Sequence, residues 1–237
     1  MTMSNISEII ATNVANVRGR IAAAAVRAGT DPQQISLVAV TKYFGPAETR
    51  AVFEAGCTIL GESRPQQFWP KAEALADLPI EWHMIGHLQR NKIRRTLPLV
   101  KLIHSADNIR LIEATDRIGG ELALEMPILL EVNISGDAEK HGFSPDKMEP
   151  LLDGLERFSN VKIKGLMCMA SLAGGMNSAR RDFSALRELR DRLAGNCPEG
   201  VELQELSMGM SRDYELAIEE GATIVRVGSA LYNGIPR

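Results

Sequence analysis

The chain has 237 residues, 45% hydrophobic, 24% charged and 5% aromatic, a balance that excludes a disordered or fibrous protein. Its length suits one domain, residues 1–237, of the size of an α/β barrel. Lys and Arg number 27 against 30 Asp and Glu, so the net charge is −3 and no overall field draws in nucleic acid or an anionic membrane.

Apolar runs such as 21–26 and 127–130 fall far short of the ~20 residues of a membrane span. Met1-Thr2-Met3-Ser4-Asn5 does not open a secretion signal. Cys57, Cys168 and Cys197 form no CxxC pair, so a cytoplasmic chain with reduced thiols and no structural zinc is expected.

In chain order, the periodicity predicts a helix over 4–28 with Ile6, Ile9, Ile10, Val14 and Val17 on one stripe. Strand-length apolar bursts follow at 36–42, 59–62, 82–87, 102–106, 128–133, 163–169, 205–210 and 224–228. Helical patterns alternate with them over 46–55, 65–76, 90–97, 109–124, 145–158, 178–193 and 212–220. Several carry start signals: Gly45-Pro46, Ser63-Arg64-Pro65, Asn108, Ser144-Pro145, and Ser211 before Arg212-Asp213.

The first strand is apolar on both alternate sets, as when both faces of a parallel sheet are covered. Alternation then predicts a single (β/α)8 TIM barrel, with a doubly wound open sheet as the alternative. Only 229–237 follow the last strand, too few for an eighth helix, so the N-terminal helix is expected to close that gap.

Chemistry in such a barrel sits at the C-terminal ends of its strands. Lys42 ends the first apolar run on the face of Val38 and Val40. An ammonium above an apolar interior loses hydration, and the freed amine attacks a carbonyl, the environment of a Schiff-base lysine. The plainer alternative is a strand-end lysine reaching to water.

Residues 206–213, Leu-Ser-Met-Gly-Met-Ser-Arg-Asp, read as a strand, a small-residue turn and a helix start. Gly209, the hydroxyls of Ser207 and Ser211 and the helix N–H groups suit a phosphate; the alternative makes Ser211 an ordinary N-cap. Arg226-Val227-Gly228-Ser229 forms a second corner beside it, and phosphate sites after strands seven and eight recur in this architecture. Arg226 is predicted to project inward, where its guanidinium requires acceptors: Glu131, or the pyridine nitrogen of pyridoxal phosphate (PLP). An Arg there keeps that nitrogen unprotonated and the ring a weak electron sink.

His83 and His87 have i, i+4 spacing without a following Glu, so they read as hydrogen-bonding histidines, and no metal site is expected. Arg90, Lys92, Arg94 and Arg95 read as a solvated helix face. No G-x-G-x-x-G, Walker A or G-x-S-x-G run occurs.

Val40-Thr41-Lys42, Leu60-Gly61-Glu62-Ser63-Arg64, the run 82–92 opening Trp82-His83-Met84-Ile85-Gly86-His87, and 206–211 with 225–229 stand in a familiar order. From Lys42 to Ser229 the chain resembles the pyridoxal phosphate homeostasis proteins, the YggS/PROSC family. The resemblance implies a fold-type-III PLP barrel, like the N-terminal domain of alanine racemase without that enzyme's second domain. It implies that Lys42 holds PLP as a Schiff base and that Arg226 faces the pyridine nitrogen. Ser207, Met208, Ser211, Gly228 and Ser229 would cradle the phosphate, and Lys140 would offer a second amine.

Ser63 stands where the family usually shows Asn, so the amide that would reach the ring is missing, and Pro65 departs likewise. The function implied is intracellular PLP (vitamin B6) homeostasis by a monomeric carrier that is not an enzyme, with PLP-dependent apoenzymes as partners. The alternatives are a slow PLP-dependent amino-acid racemase or decarboxylase, and a phosphate-binding barrel without PLP.

Overall fold

The computed structural model describes residues 2–137, 141–171, 174–198 and 200–236. The strands are β1 (Ser36–Val40), β2 (Ile59–Glu62), β3 (Glu81–Met84), β4 (Leu102–Ala106), β5 (Met126–Glu131), β6 (Val161–Met167), β7 (Val201–Ser207) and β8 (Ile224–Val227). All pair in parallel with their sequence neighbours, and β8 pairs with β1, so the sheet is a closed barrel and the open sheet is ruled out. The helices are α1 (Met3–Arg27), α2 (Pro46–Glu54), α3 (Pro65–Ala74), α4 (Ile93–Thr96), α5 (Ile109–Leu122), α6 (Met148–Leu152), α7 (Gly175–Ala194) and α8 (Tyr214–Glu219). Among the described residues no helix is long and apolar enough to cross a membrane.

Alternation along each strand splits the apolar residues into two cores. Leu37, Ala39, Leu60, Ile103, Leu206 and Val225 face outward into the layer beneath the helices. Val38, Leu102, Leu129, Met167 and Ile224 form a smaller plug inside the barrel. The register sets Val38 opposite Arg226, which places that arginine on the inner face.

Strand boundaries differ systematically from the sequence reading. β1, β3, β5, β6 and β7 stop two or three residues before the expected ends, and β3, β5, β6 and β7 begin earlier. The reason is burial: Ile85, Met208 and Met210 are apolar because the loops at the barrel mouth pack inward, and apolar loop residues mimic strand. Two expected helices are shorter and irregular. The segment 90–97 is a 3-10 turn at Arg90–Lys92, α4 and a second 3-10 turn; 145–158 is a 3-10 turn and α6.

The start signals fare better. Asn108 caps α5 by accepting from Leu111 N–H at 3.0 Å, and Gly45 N–H donates to Glu48 Oε2 at 3.1 Å ahead of Pro46.

The N-terminal helix closes the last gap. α1 packs on α2 and α8 through Ile10, Val14, Val17 and Ile21, all buried. Asn13 Nδ2 donates to Leu231 O (3.1 Å) and Asn233 O (2.9 Å), tying it to the chain after β8. Ile10 is fully buried, whereas Ile9 on the neighbouring face is half-buried. Ile10→Ala should therefore cost about 2–5 kcal/mol in urea denaturation and Ile9→Ala under about 1.5 kcal/mol; equal losses would mean that α1 is not seated this way.

Candidate functional site at the barrel mouth

Lys42 does not end β1 but lies in the turn beyond it, closed by Phe44 N–H donating to Thr41 O at 3.0 Å. It is half-buried, with its ammonium 5.0 Å from the Tyr43 ring centre. The backbone just before it is held from below. Lys71 Nζ donates to Thr41 O at 2.8 Å and pairs with Glu62, and Thr41 Oγ1 donates to Glu62 Oε1 at 2.6 Å. Glu62, Lys71 and Thr41 are all buried.

Across the β8–β1 seam, Val40, Lys42, Phe44, Gly228, Ser229 and Tyr232 line one cavity of about 30 Å³. Next to it, Gly228 N–H and Ala230 N–H both donate to Ser211 Oγ, at 3.0 and 3.3 Å. Two backbone donors thus converge on one oxygen, the geometry an anion's oxygen requires. Ser211 is consequently not an N-cap. α8 starts later, at Tyr214, and Asp213 Oδ1 takes the Met210 N–H at 2.6 Å, so the expected contribution of free helix N–H groups is absent here.

Gly209 is required at its position: its φ is +86°, and a Cβ would lie 2.5 Å from Ala217 Cβ and 2.8 Å from Tyr214 Cα.

Ser207 and Met208 are placed differently from expectation. Met208 is fully buried and its N–H donates to Ile224 O. Ser207 Oγ points into the barrel, 2.5 Å from Arg226 Nη1 and 2.8 Å from His104 Nδ1. Its hydroxyl is therefore spent inside rather than at the phosphate corner.

Arg226 does project inward, but Glu131 is not its hydrogen-bond acceptor; Ser207 Oγ and Cys168 O (2.9 Å) are. Below Ser207 the chain of hydrogen bonds continues from His104 Nε2 to His83 Nδ1 (2.9 Å) and from His83 Nε2 to Glu81 Oε1 (3.1 Å). The Glu81 carboxylate only accepts, so a neutral His83 donates to it from Nε2 and accepts at Nδ1 from His104 Nε2–H; His104 Nδ1 then accepts from Ser207, which accepts from Arg226, and both histidines carry their proton on Nε2. His83 is thus a hydrogen-bonding core histidine, as its sequence context suggests.

The opposite side of the mouth carries titratable groups. His87 Nδ1 lies 2.8 Å from Asp107 Oδ2, and Ser63 shares a cleft of about 170 Å³ with His87, Gln89 and Lys92. Gly86 permits this approach, since a Cβ there would fall 2.5 Å from Ser63 O. Glu131, buried on β5, has its pKa raised to about 7 by desolvation and by the Asp107 charge, against the pull of Arg226 and His87. Burial, together with His83 and Arg226, holds His104 well below the ordinary imidazole range.

Of the basic run, Arg94 pairs with Glu121 and Arg95 lies 4.3 Å over the Trp69 ring. Lys140 lies outside the described residues.

The sequence does not single out Lys71, His104 or Asp107, whose partners lie on other elements, and it names Glu131 only as an acceptor for Arg226.

The sequence matches the family described as alanine racemase, N-terminal domain, over residues 12–236. The pyridoxal phosphate homeostasis protein of Aquifex aeolicus is 39% identical over 219 residues, covering 92% of this chain and 95% of that one. This chain belongs to the pyridoxal phosphate homeostasis protein family. A second family member, from Pseudomonas aeruginosa, is 37% identical over 226 residues, 94% of each chain. The structure of PipY from Synechococcus elongatus PCC7942 with PLP bound is 36% identical, with a TM-score of 0.84 over 94% of this chain and 100% of that one. Alanine racemase from Streptomyces lavendulae, 18% identical, shares the fold, with a TM-score of 0.75 over 98% of this chain and 58% of the racemase.

Two buried groups in this family member give opposed pH dependences. His104, depressed from 6.5, makes the unfolded chain bind the extra proton at lower pH, so its contribution falls as the pH drops below about 6.5. Glu131, raised from 4.5 to about 7, contributes stability that is present below 4.5 and lost as pH rises through about 7. Glu131→Gln removes only the second. In urea denaturation at several pH values, the wild type should gain on the variant by up to ~1.4 kcal/mol per pH unit from pH 7 down toward 4.5. Parallel curves would show that Glu131 is not held protonated by the fold.

Proposed function

We propose that the barrel mouth holds pyridoxal 5′-phosphate reversibly and acts as a cytoplasmic carrier in vitamin B6 homeostasis, releasing it to PLP-dependent apoenzymes. The observation that carries this reading is the shared cavity: Lys42 lines the same space as Gly228 and Ser229, beside the amides of Gly228 and Ala230. The donor set fits a phosphorylated aldehyde, with a primary amine on one wall and a backbone anion corner on the next. PipY, bound to PLP in its own structure, supports the assignment by family.

When bound, the cofactor supplies an electron-withdrawing ring and a carbonyl that amines attack. Lys42, half-buried at the mouth, would supply the amine that holds that carbonyl. Gly228, Ser229 and Ser211 hold the phosphate through amides and hydroxyls, with Gly209 shaping the turn. Met208 supports the corner by packing and Ser207 through Arg226. Arg226, a permanent cation fixed by Ser207 and Cys168 O, would disfavour a proton on a ring nitrogen held beside it and leave that ring a weak electron sink. This suits holding over turnover. Ser63 offers a hydroxyl where the family usually shows the amide of Asn, and Lys140, outside the described residues, is a second candidate amine.

Borohydride reduction of the PLP-treated protein, followed by peptide mass mapping, should place the cofactor on the peptide containing Lys42. Lys42→Ala should lose both the yellow colour and cofactor retention. A variant that stays yellow after gel filtration would end this reading, and wild-type protein that stays colourless after PLP addition would favour a phosphate-binding barrel without the cofactor.

One observation favours a second reading, a slow amino-acid racemase or decarboxylase. Glu131, with a pKa of about 7, is an acid/base group poised near neutrality on the same mouth. Sustained formation of D-amino acid or amine from L-amino acids, abolished in Glu131→Gln, would establish it over the carrier.

A further inference from the structure

His87, Asp107 and His141 stand on the loops after β3, β4 and β5, well separated in sequence and adjacent in space. One nitrogen from each imidazole and one oxygen of Asp107 lie within 4.8 Å of one another. Asp107 is the buried anchor, its side chain only 2% exposed, while the two histidines reach solvent. Asn108 Nδ2 donates to Asp107 Oδ1 at 2.5 Å, which leaves Oδ2 turned toward both rings.

His87 Nδ1 reaches Oδ2 at 2.8 Å, a hydrogen bond; His141 Nδ1 stands at 3.7 Å, beyond hydrogen-bond reach. The two rings stack with centres 4.8 Å apart and planes 19° apart. A hydrogen-bonded pair accounts for His87 and Asp107. It does not account for a second imidazole nitrogen aimed at the same oxygen.

We propose that His87, Asp107 and His141 form a binding site for one divalent first-row transition-metal ion of the Zn²⁺ class. Metal–nitrogen and metal–oxygen bonds of about 2.0–2.2 Å put neighbouring ligand atoms roughly 3–3.5 Å apart. The two nitrogens stand 2.8 and 3.7 Å from Asp107 Oδ2 and the three atoms lie within 4.8 Å of one another, so the site must draw in to bind, an adjustment that falls on His141, whose side chain is 65% exposed.

The chemistry of the donors selects the ion. Two imidazoles and one carboxylate suit zinc, cobalt or nickel and are poor for calcium or magnesium, which take oxygen ligands. Arg90 and Arg110 line the groove beside His87, and Lys92 lines the cleft on its other side; their charge opposes any cation, so the ion must be held by its nitrogen and carboxylate bonds. Glu131 adds a second buried carboxylate close enough to act on Asp107. Three protein ligands leave a fourth position for water or a small anion. None of the three is assigned to the lysine or the anion corner, so the site stands independently of the cofactor reading.

The test uses tag-free, chelator-washed full chain. Calorimetric titration with Zn²⁺ should show one ion per chain, and Co²⁺ should give visible absorption bands of nitrogen- and oxygen-ligated metal. His141→Ala should weaken Zn²⁺ at least about tenfold. Its thermal unfolding without metal should match that of the wild type, because His141 is exposed. Asp107→Asn should also lose the ion, but that residue is buried, so His141→Ala and His87→Ala decide the matter. Absence of stoichiometric binding, or undiminished affinity in the His87→Ala/His141→Ala double variant, overturns the proposal; the latter result would assign the ion to another group such as the half-buried Cys197.

Discussion

A guanidinium that cannot give up its charge sits inside the barrel, and the rest of the interior is arranged to accept its protons. Branched apolar side chains fill most barrels of this architecture. Here the column Arg226, Ser207, His104, His83 and Glu81 crosses it, beside an inner plug of Val38, Leu102, Leu129, Met167 and Ile224. Because the Glu81 carboxylate only accepts and Arg226 only donates, one direction runs through the chain and sets the rotor of Ser207 and the tautomers of both neutral histidines. The column ends at Glu81, whose side chain is half exposed, so its last acceptor meets water. Ser207, His104 and His83 are each bonded on both sides, which is what makes a polar barrel interior tolerable.

The mouth above this column divides by chemistry. On the side of β1, β7 and β8 the donors are backbone N–H groups, which do not titrate, together with the Lys42 amine. On the side of β3, β4 and β5 stand imidazoles and carboxylates, among them Glu131 with its pKa near neutrality. Arg226 lies between, bonded to Ser207 on β7 and felt electrostatically by Glu131 on β5. The imidazoles and carboxylates thus stand across the mouth from the backbone donors that meet on Ser211 Oγ.

Much of the architecture is legible from pattern alone. Apolar bursts at regular intervals, Pro at helix starts and Asn108 before Ile109 foretell eight strands, a run of helices and an N-terminal helix closing the ring. What pattern misplaces is the mouth. Met208 and Ile85 are apolar because mouth loops fold back onto the barrel, so their burial reads as strand and moves the expected ends of β7 and β3 three residues too far. The site is legible to the extent that one segment carries it: Ser211 with Gly228, and Arg226 by its parity with Ile224. It is not legible where three strands each contribute one residue, as with His87, Asp107 and His141, or where a hydroxyl serves the interior rather than the mouth, as with Ser207. Spacing along a chain has no access to distances between strand ends.

The two lysines nearest the mouth show why position beyond pattern matters. Lys71 lies on α3, 5% exposed, with its ammonium committed to Glu62 and to Thr41 O. A buried pair of this sort adds little net stability, because desolvation offsets much of the attraction. What it does contribute is geometry: it pins the carbonyl of the residue preceding Lys42, and Thr41 Oγ1 on the same carboxylate fixes the side chain as well. Lys42 itself, one residue further and half-buried, is left with a weak contact to an aromatic face. The committed lysine holds still the turn from which the uncommitted one reaches.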